Sequence, residues 1–182
     1  MQIYVVGAHG VGKTTLVHRL QHELGLPVYP EYARDIFHDL NKDRSTMTPL
    51  EYLQFQSTLT CWFASLRNKT NFISDRSLID VGAYTTWYYH KHESEIDNFY
   101  KPLWHNLMHM TYEFVDLRSD SVYIYMTDDQ LDADQQFIDQ YISNRLHLHF
   151  GCFHDTNNVV SYTKYTPIYV IIEHCHKLLG GW

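Results

Sequence analysis

The residues Gly7-Ala8-His9-Gly10-Val11-Gly12-Lys13-Thr14 satisfy the pattern G-x-x-x-x-G-K-[ST] at every fixed position. Small residues let the backbone curl so that successive N–H groups point inward at phosphate oxygens. A helix opening near Lys13 adds the positive end of its dipole. Lys13 is placed to bridge the β- and γ-phosphates, and the Thr14 hydroxyl to ligate Mg²⁺. Gly7, His9, Gly10, Val11, Gly12, Lys13, Thr14 and Thr15 are therefore the expected P-loop contacts to a purine nucleoside triphosphate, ATP, with magnesium. A glycine-rich turn that merely packed tightly would require neither the lysine nor the threonine.

Two other pairs carry charge where chemistry needs it. Asp75-Arg76 closes the apolar stretch Asn71-Phe72-Ile73-Ser74. An acid there can hold magnesium, directly or through water, or act as a base, and the arginine beside it can reach a phosphate as a bidentate donor. Glu31 and Arg34 stand three residues apart at the start of a helix, which puts both on one face. Such a pair can take a proton from an attacking hydroxyl and steady the incoming phosphoryl group. The plainer readings are a strand-end ion pair for the first and an intrahelical ion pair for the second.

These residues need elements to position them. Residues 2–6 are an apolar, β-branched run ending at Gly7, as in a buried parallel strand. Leu16, Leu20 and Leu24 then recur with helical spacing, and Gly25 is a natural stop. A short strand around Val28 and Tyr29 leads into a helix ending near Leu40, and polar residues 41–48 form a loop. Thr48-Pro49-Leu50-Glu51 has the cap, proline and glutamate of a helix start, followed by a stripe from Tyr52 to Leu66. A third strand covers Asn71–Ser74, and helices cover 77–90 and 96–110, the second kinked or divided at Lys101-Pro102. Strands at 122–126 and 158–163, a helix at about 134–149 and a last one from Pro167 to Leu179 complete the chain.

Strands alternating with helices imply a parallel sheet covered on both faces, with ligands beyond the carboxyl ends of the strands. The expectation is one domain, residues 1–182, a three-layer α/β/α fold with a five-stranded parallel sheet. Gly7, Glu31, Asp75 and Thr127-Asp128 each follow a strand in that scheme.

In this order, the P-loop, Pro30-Glu31-Tyr32-Ala33-Arg34, Glu51-Tyr52-Leu53-Gln54-Phe55-Gln56 and Asp75-Arg76-Ser77-Leu78-Ile79-Asp80 resemble the small P-loop kinases of the nucleoside and nucleotide kinase superfamily. The likeness is to deoxyribonucleoside kinases, the nicotinamide riboside kinase domain and related small P-loop ATPases. It covers roughly residues 1–90 well and the remainder as an order of elements. The resemblance implies ATP-dependent phosphoryl transfer to a nucleoside or nucleoside monophosphate in nucleotide metabolism. It points to Glu31 as base, to Asp75, Arg76 and Ser77 as the acid-Arg-Ser element, and to Gln56 or Gln54 at the acceptor base. Phe55 or Tyr52 then offers a stacking surface, with core packing as the alternative use of a helical aromatic stripe.

One departure from that pattern stands out. Such kinases carry lid arginines after the fourth strand, to neutralise charge on the transferred phosphoryl group. Here Thr127-Asp128-Asp129-Gln130-Leu131-Asp132-Ala133-Asp134 has no basic residue, and the next arginine is Arg145, about three helical turns along. Either Arg145 and Arg34 take that duty, or the lid is built differently, or transfer is feeble. A regulatory ATPase or GTPase switch is thus a second reading, although the guanine-reading Asn-Lys-x-Asp signature is absent. A polynucleotide 5′-hydroxyl kinase is a third.

Composition bears on that third reading. With 14 Lys plus Arg against 21 Asp plus Glu, the net charge of −7 leaves no basic stripe for a polynucleotide backbone, so a small-molecule partner is expected. Three scattered cysteines imply no disulfide framework, and no apolar run has the length of a membrane span. A cytoplasmic protein is the expectation. His147, His149, Cys152 and His154, and His174-Cys175-His176, lack the paired spacing of structural zinc sites and read as ordinary histidines. The aromatic helices 49–69 and 77–90 serve either the core or a homodimer interface.

Overall fold

The computed structural model describes residues 1–115, 121–151 and 158–178. Its elements run β1 (Gln2–Val6), α1 (Lys13–Leu24), β2 (Val28–Tyr29), α2 (Tyr32–Leu40), α3 (Pro49–Leu66), β3 (Phe72–Asp75) and α4 (Leu78–His92). They continue with α5 (Lys101–Glu113), β4 (Ser121–Thr127), α6 (Ala133–Phe150), β5 (Val159–Thr163) and α7 (Ile168–Leu178). The strands form one all-parallel sheet in the order β2-β3-β1-β4-β5. Helix α1 packs on β1, β2, β3 and α7, while α4 gathers α3, α5 and α6. The result is the expected three-layer α/β/α sandwich.

Strand β1 is central because it is buried at every residue, the condition under which a parallel strand reads as an unbroken apolar run. Its Val5 pairs with Asp75 of β3 and Ile124 of β4, so the ends of three strands open at one level. The chain moves from β1 toward β2 and β3 on one side, then returns to β4 and β5 on the other. That reversal leaves a crevice above β1, where the first loop lies.

Capping residues set several helix starts. Thr48 with Glu51, Ser77 with Asp80 and Asp132 with Gln135 each form a reciprocal capping box. Proline places another: α5 begins at Lys101-Pro102 instead of bending there, because proline suits the first helical turn, where its missing N–H has no partner to lose. The expected helix at 96–110 is correspondingly shorter at its start, and the expected end of the last helix at Leu179 lies outside the described residues.

Tyr52, Tyr88 and Trp104 are fully or almost fully buried and stack, with ring centroids 3.8 Å apart for Tyr52–Tyr88 and 5.5 Å for Tyr88–Trp104. This stack ties α3, α4 and α5 together. Removing Trp104 would cost about 3–5 kcal/mol, in line with other buried aromatics. No helix among the described residues is long and apolar enough to cross a membrane.

Candidate active site

The loop after β1 begins with a close approach. Gly7 has φ 144°, and a Cβ there would stand 2.1 Å from the Met126 carbonyl oxygen of β4. The Gly7 N–H donates to Asp80 Oδ1 at 3.2 Å. Gly12, φ 91°, is the N-terminal cap of α1 and turns the loop into the helix. Lys13 is buried, and its Nζ donates back to the Ala8 carbonyl across the loop. Burial, with the Arg76 charge next, pulls the Lys13 ammonium down to about 7. Restoring a full charge there requires an anion. The loop, Thr14, Thr15, Glu31, Arg34 and Arg76 enclose a chamber of about 210 Å³.

Thr14 and Asp75 meet as the strand ends dictate. Thr14 Oγ1 donates to Asp75 Oδ2 at 2.7 Å, while Asp75 Oδ1 is buried and unpartnered. A hydroxyl and carboxylate oxygens, one with an unused lone pair, form a hard-oxygen donor set of the kind magnesium takes.

Four side chains form a charge network beside this chamber, three of them largely buried and Arg34 exposed. Arg76 Nε donates to Glu31 Oε1 at 2.5 Å, and Arg34 Nε pairs with Glu31 Oε2 at 2.7 Å. Arg76 Nη1 lies 3.4 Å from Asp80 Oδ1. Arg34 Nη2 also reaches Thr14 Oγ1 at 3.3 Å, linking the network to the Thr14–Asp75 pair. Burial would raise the Glu31 carboxyl, but Arg76, Arg34 and Lys13 outweigh it and hold Glu31 below its ordinary range. Burial pushes the Asp80 carboxyl up, against the opposing pull of Arg76 and Lys13. Arg76 also has φ 94°, a left-handed backbone that costs a side-chain-bearing residue about 1–3 kcal/mol. Its N–H bonds Val5 O at 2.9 Å, which holds the turn.

Two cavities flank the chamber. One, with room for about 30 Å³, is lined by Glu31, Phe37, Arg44, Phe55, Gln56, Arg76, Asp80 and Tyr84. The other, about 320 Å³, lies beside Gly12 and Thr15 and is lined by Arg19, Met126, Lys164, Ile168 and Ile171.

The expected residues fall on these surfaces with two corrections. Glu31, Arg34 and Arg76 converge on the chamber, Asp75 joins them through Thr14, and Phe55 and Gln56 line the smaller cavity. Tyr52 does not, because it is fully buried in the Tyr88–Trp104 stack and its hydroxyl accepts from Gln56 Nε2 at 2.8 Å. Arg145 is also elsewhere. Its guanidinium sits over Tyr112 and Tyr141, 4.6 and 4.9 Å from their centroids, on the α5–α6 side. Residues past the first turn of α6 rotate away from the loop, so sequence proximity to the lid did not bring Arg145 over the site.

The segment between β4 and α6 is strapped down by its own acids. Asp128 pairs with Lys164 after β5, Asp134 with Lys91 of α4 at 2.6 Å, and Gln135 Nε2 donates to His9 O at 3.2 Å. His9 itself is held below its ordinary pKa, by burial first and then by Arg76 and Lys13. His149 packs on Tyr112, and Cys152 and His154 lie outside the described residues. Asp80, Arg44, Arg19 and Lys164 line these cavities without having been singled out by the motifs. Lys164 follows a strand end and was accessible to that rule. Arg44 lies in an irregular polar loop and gave no local signal.

A family model described as an AAA domain (AAA_28) matches residues 2–150. The chain belongs to this AAA domain family. No curated protein matches the sequence. Among solved structures, a NadR protein in complex with NAD and AMP-PNP superposes with a TM-score of 0.67 at 20% identity, over 100% of this chain and 50% of that one. The chain thus spans about half the length of the NadR protein it resembles. Deoxyadenosine kinase from M. mycoides, with products dCMP and a flexible dCDP bound, gives 0.63 at 16% identity over 99% and 98% of the two chains. Shikimate kinase from Aquifex aeolicus gives 0.55 at 12%, over 99% and 96%. The fold of this family member is therefore that of the P-loop nucleoside and nucleotide kinases.

Proposed function

We propose that the protein is an ATP-dependent kinase that moves the γ-phosphoryl group to a small acceptor, a nucleoside or a nucleoside monophosphate. The observation that carries this reading is the position of Glu31 and Arg76, which line both the phosphate chamber and the smaller cavity. A carboxylate and a guanidinium at the junction of two cavities serve a transfer between them better than simple hydrolysis.

In this reading the triphosphate lies along the P-loop, with Lys13 and the start of α1 at its phosphates and the base in the cleft beside Arg19 and Lys164. Thr14 and Asp75 fit Mg²⁺, which when bound would neutralise phosphate charge and orient the donor. Glu31, kept ionised by Arg76 and Arg34, accepts the proton of an attacking nucleoside hydroxyl or, with a monophosphate, helps orient the acceptor whose phosphate oxygen attacks. Phe55 and Gln56 then face the acceptor, with Phe37 stacked on Phe55 at 4.5 Å. Catalysis rests on positioning and electrostatics. The nucleotide and nucleoside ligands of the NadR and deoxyadenosine kinase structures support this choice of acceptor class.

The arginine-free segment 127–134 favours a second reading, a regulatory P-loop ATPase. Labelled ATP offered with a panel of nucleosides and mononucleotides separates the two. Transfer to a panel member, lost in Glu31→Gln with ATP affinity kept, is expected. ATP binding with no transfer to any member overturns the kinase reading.

A further inference from the structure

The smaller cavity is lined by two acids and two arginines, and only one of the arginines is ion-paired among the described residues. Among the described residues, Glu31 and Asp80 are the carboxylates there, and both are engaged by Arg76, with Arg34 sharing Glu31. Arg76 thus engages both acids of the cavity, while Arg34 lies outside its lining. Arg44, the other arginine on the cavity, is delivered by the loop between α2 and α3 and has no carboxylate ion pair among the described residues. Its guanidinium lies over the faces of Tyr84 and Trp87, 4.3 and 5.7 Å from their centroids. Its Nε is buried without a hydrogen-bond partner, as are the Tyr84 hydroxyl and Gln56 Oε1 on the same cavity. Asp134, an acid that feels the Arg44 charge, is already held by Lys91.

The loop holds Arg44 in place from both sides. Asp43 Oδ1 accepts from the Ser45 N–H at 2.8 Å and its hydroxyl at 2.6 Å. Met47 is buried, and its carbonyl accepts from Tyr88 at 3.1 Å. A planar donor group, partly desolvated, stacked and lacking an acceptor, is a preorganised oxyanion receptor. Glu31 and Arg76, which share this cavity with Arg44, also line the phosphate chamber.

We propose that Arg44 makes this site select a phosphorylated acceptor, a nucleoside 5′-monophosphate, over the free nucleoside. This rests on the kinase reading above and sharpens its acceptor class. The test measures acceptor binding with the donor site filled by saturating AMP-PNP and magnesium, read by quenching of Trp87 fluorescence or by calorimetry. Probes are matched pairs of nucleosides and their 5′-monophosphates with each common base. The wild type should bind at least one monophosphate about tenfold or more tightly than its nucleoside. In Arg44→Met that gap should collapse, with the nucleoside affinity changed less than threefold, and Arg44→Lys should restore part of it.

Equal affinity for both members of every pair, no binding of either, or an equal loss for both in Arg44→Met overturns the proposal. Transfer to nucleosides in the labelled-ATP assay alongside any of these results leaves the kinase reading standing. AMP-PNP that fails to bind at all defeats the kinase reading itself.

Discussion

Asp80 is the residue whose change tests the architecture of the site most directly. Its carboxylate accepts the Gly7 N–H at 3.2 Å and the Ser77 N–H at 2.9 Å, and it faces Arg76 at 3.4 Å, all in a fully buried position. Asp80→Asn keeps the volume and removes the charge. Losing one partner of a buried ion pair costs about 3–5 kcal/mol, but Arg76 keeps Glu31 at closer range, which reduces this to about 2 kcal/mol. The new amide also turns a donor toward one of two backbone N–H groups, adding about 1 kcal/mol. The sum is about 3 kcal/mol, or a fall in Tm of about 6–12 °C for a domain of this size.

The assay is urea unfolding of the nucleotide-free protein, extended to a double-mutant cycle. Arg76→Met should be destabilising alone, yet Asp80→Asn should cost about 1–2 kcal/mol less in its presence, because no buried cation is then left short of charge. A loss below about 0.5 kcal/mol in the single variant, or strict additivity in the cycle, would refute the argument that Asp80 ties the P-loop to Arg76 by charge.

Three further outcomes are expected. The Lys13 ammonium, drawn down to about 7 from an unfolded value near 10.5, binds its proton less well folded than unfolded. Stability should therefore rise between about pH 7 and 10 in the wild type and less so in Lys13→Met, and ATP binding at pH 8 should take up a proton, measured by calorimetry in buffers of different ionisation enthalpy. Asp75→Asn should weaken magnesium-dependent nucleotide binding about tenfold or more while leaving metal-free binding within about threefold; equal affinities in a magnesium titration would remove Asp75 from the metal. Gly7→Ala, whose Cβ would overlap the Met126 carbonyl, should lose about 3 kcal/mol or more in urea unfolding, and a wild-type-like midpoint would show that β4 yields there.

The sequence by itself determined the donor half of the site and the order of the elements. Gly7 to Thr14 form a local motif whose meaning depends on one strand, one turn and one helix, all adjacent in the chain. Glu31 and Asp75-Arg76 were legible for a related reason, since in a parallel sheet every strand end opens on the same side. The helix start at Thr48 followed from capping chemistry that spans only three residues.

Only the tertiary structure decided what faces what across the elements. A helical stripe fixes which side of α3 is apolar, but packing against α4 and α5 sent Tyr52 into the core while leaving Phe55 and Gln56 on the cavity. Packing placed Arg145 and Arg44 in the same way: one follows the lid in sequence but turns toward Tyr112, and the other lies in an irregular loop that folds over Tyr84. Local spacing sets the direction of a side chain relative to its own element. Which neighbour it meets depends on how distant elements pack, and no short pattern carries that.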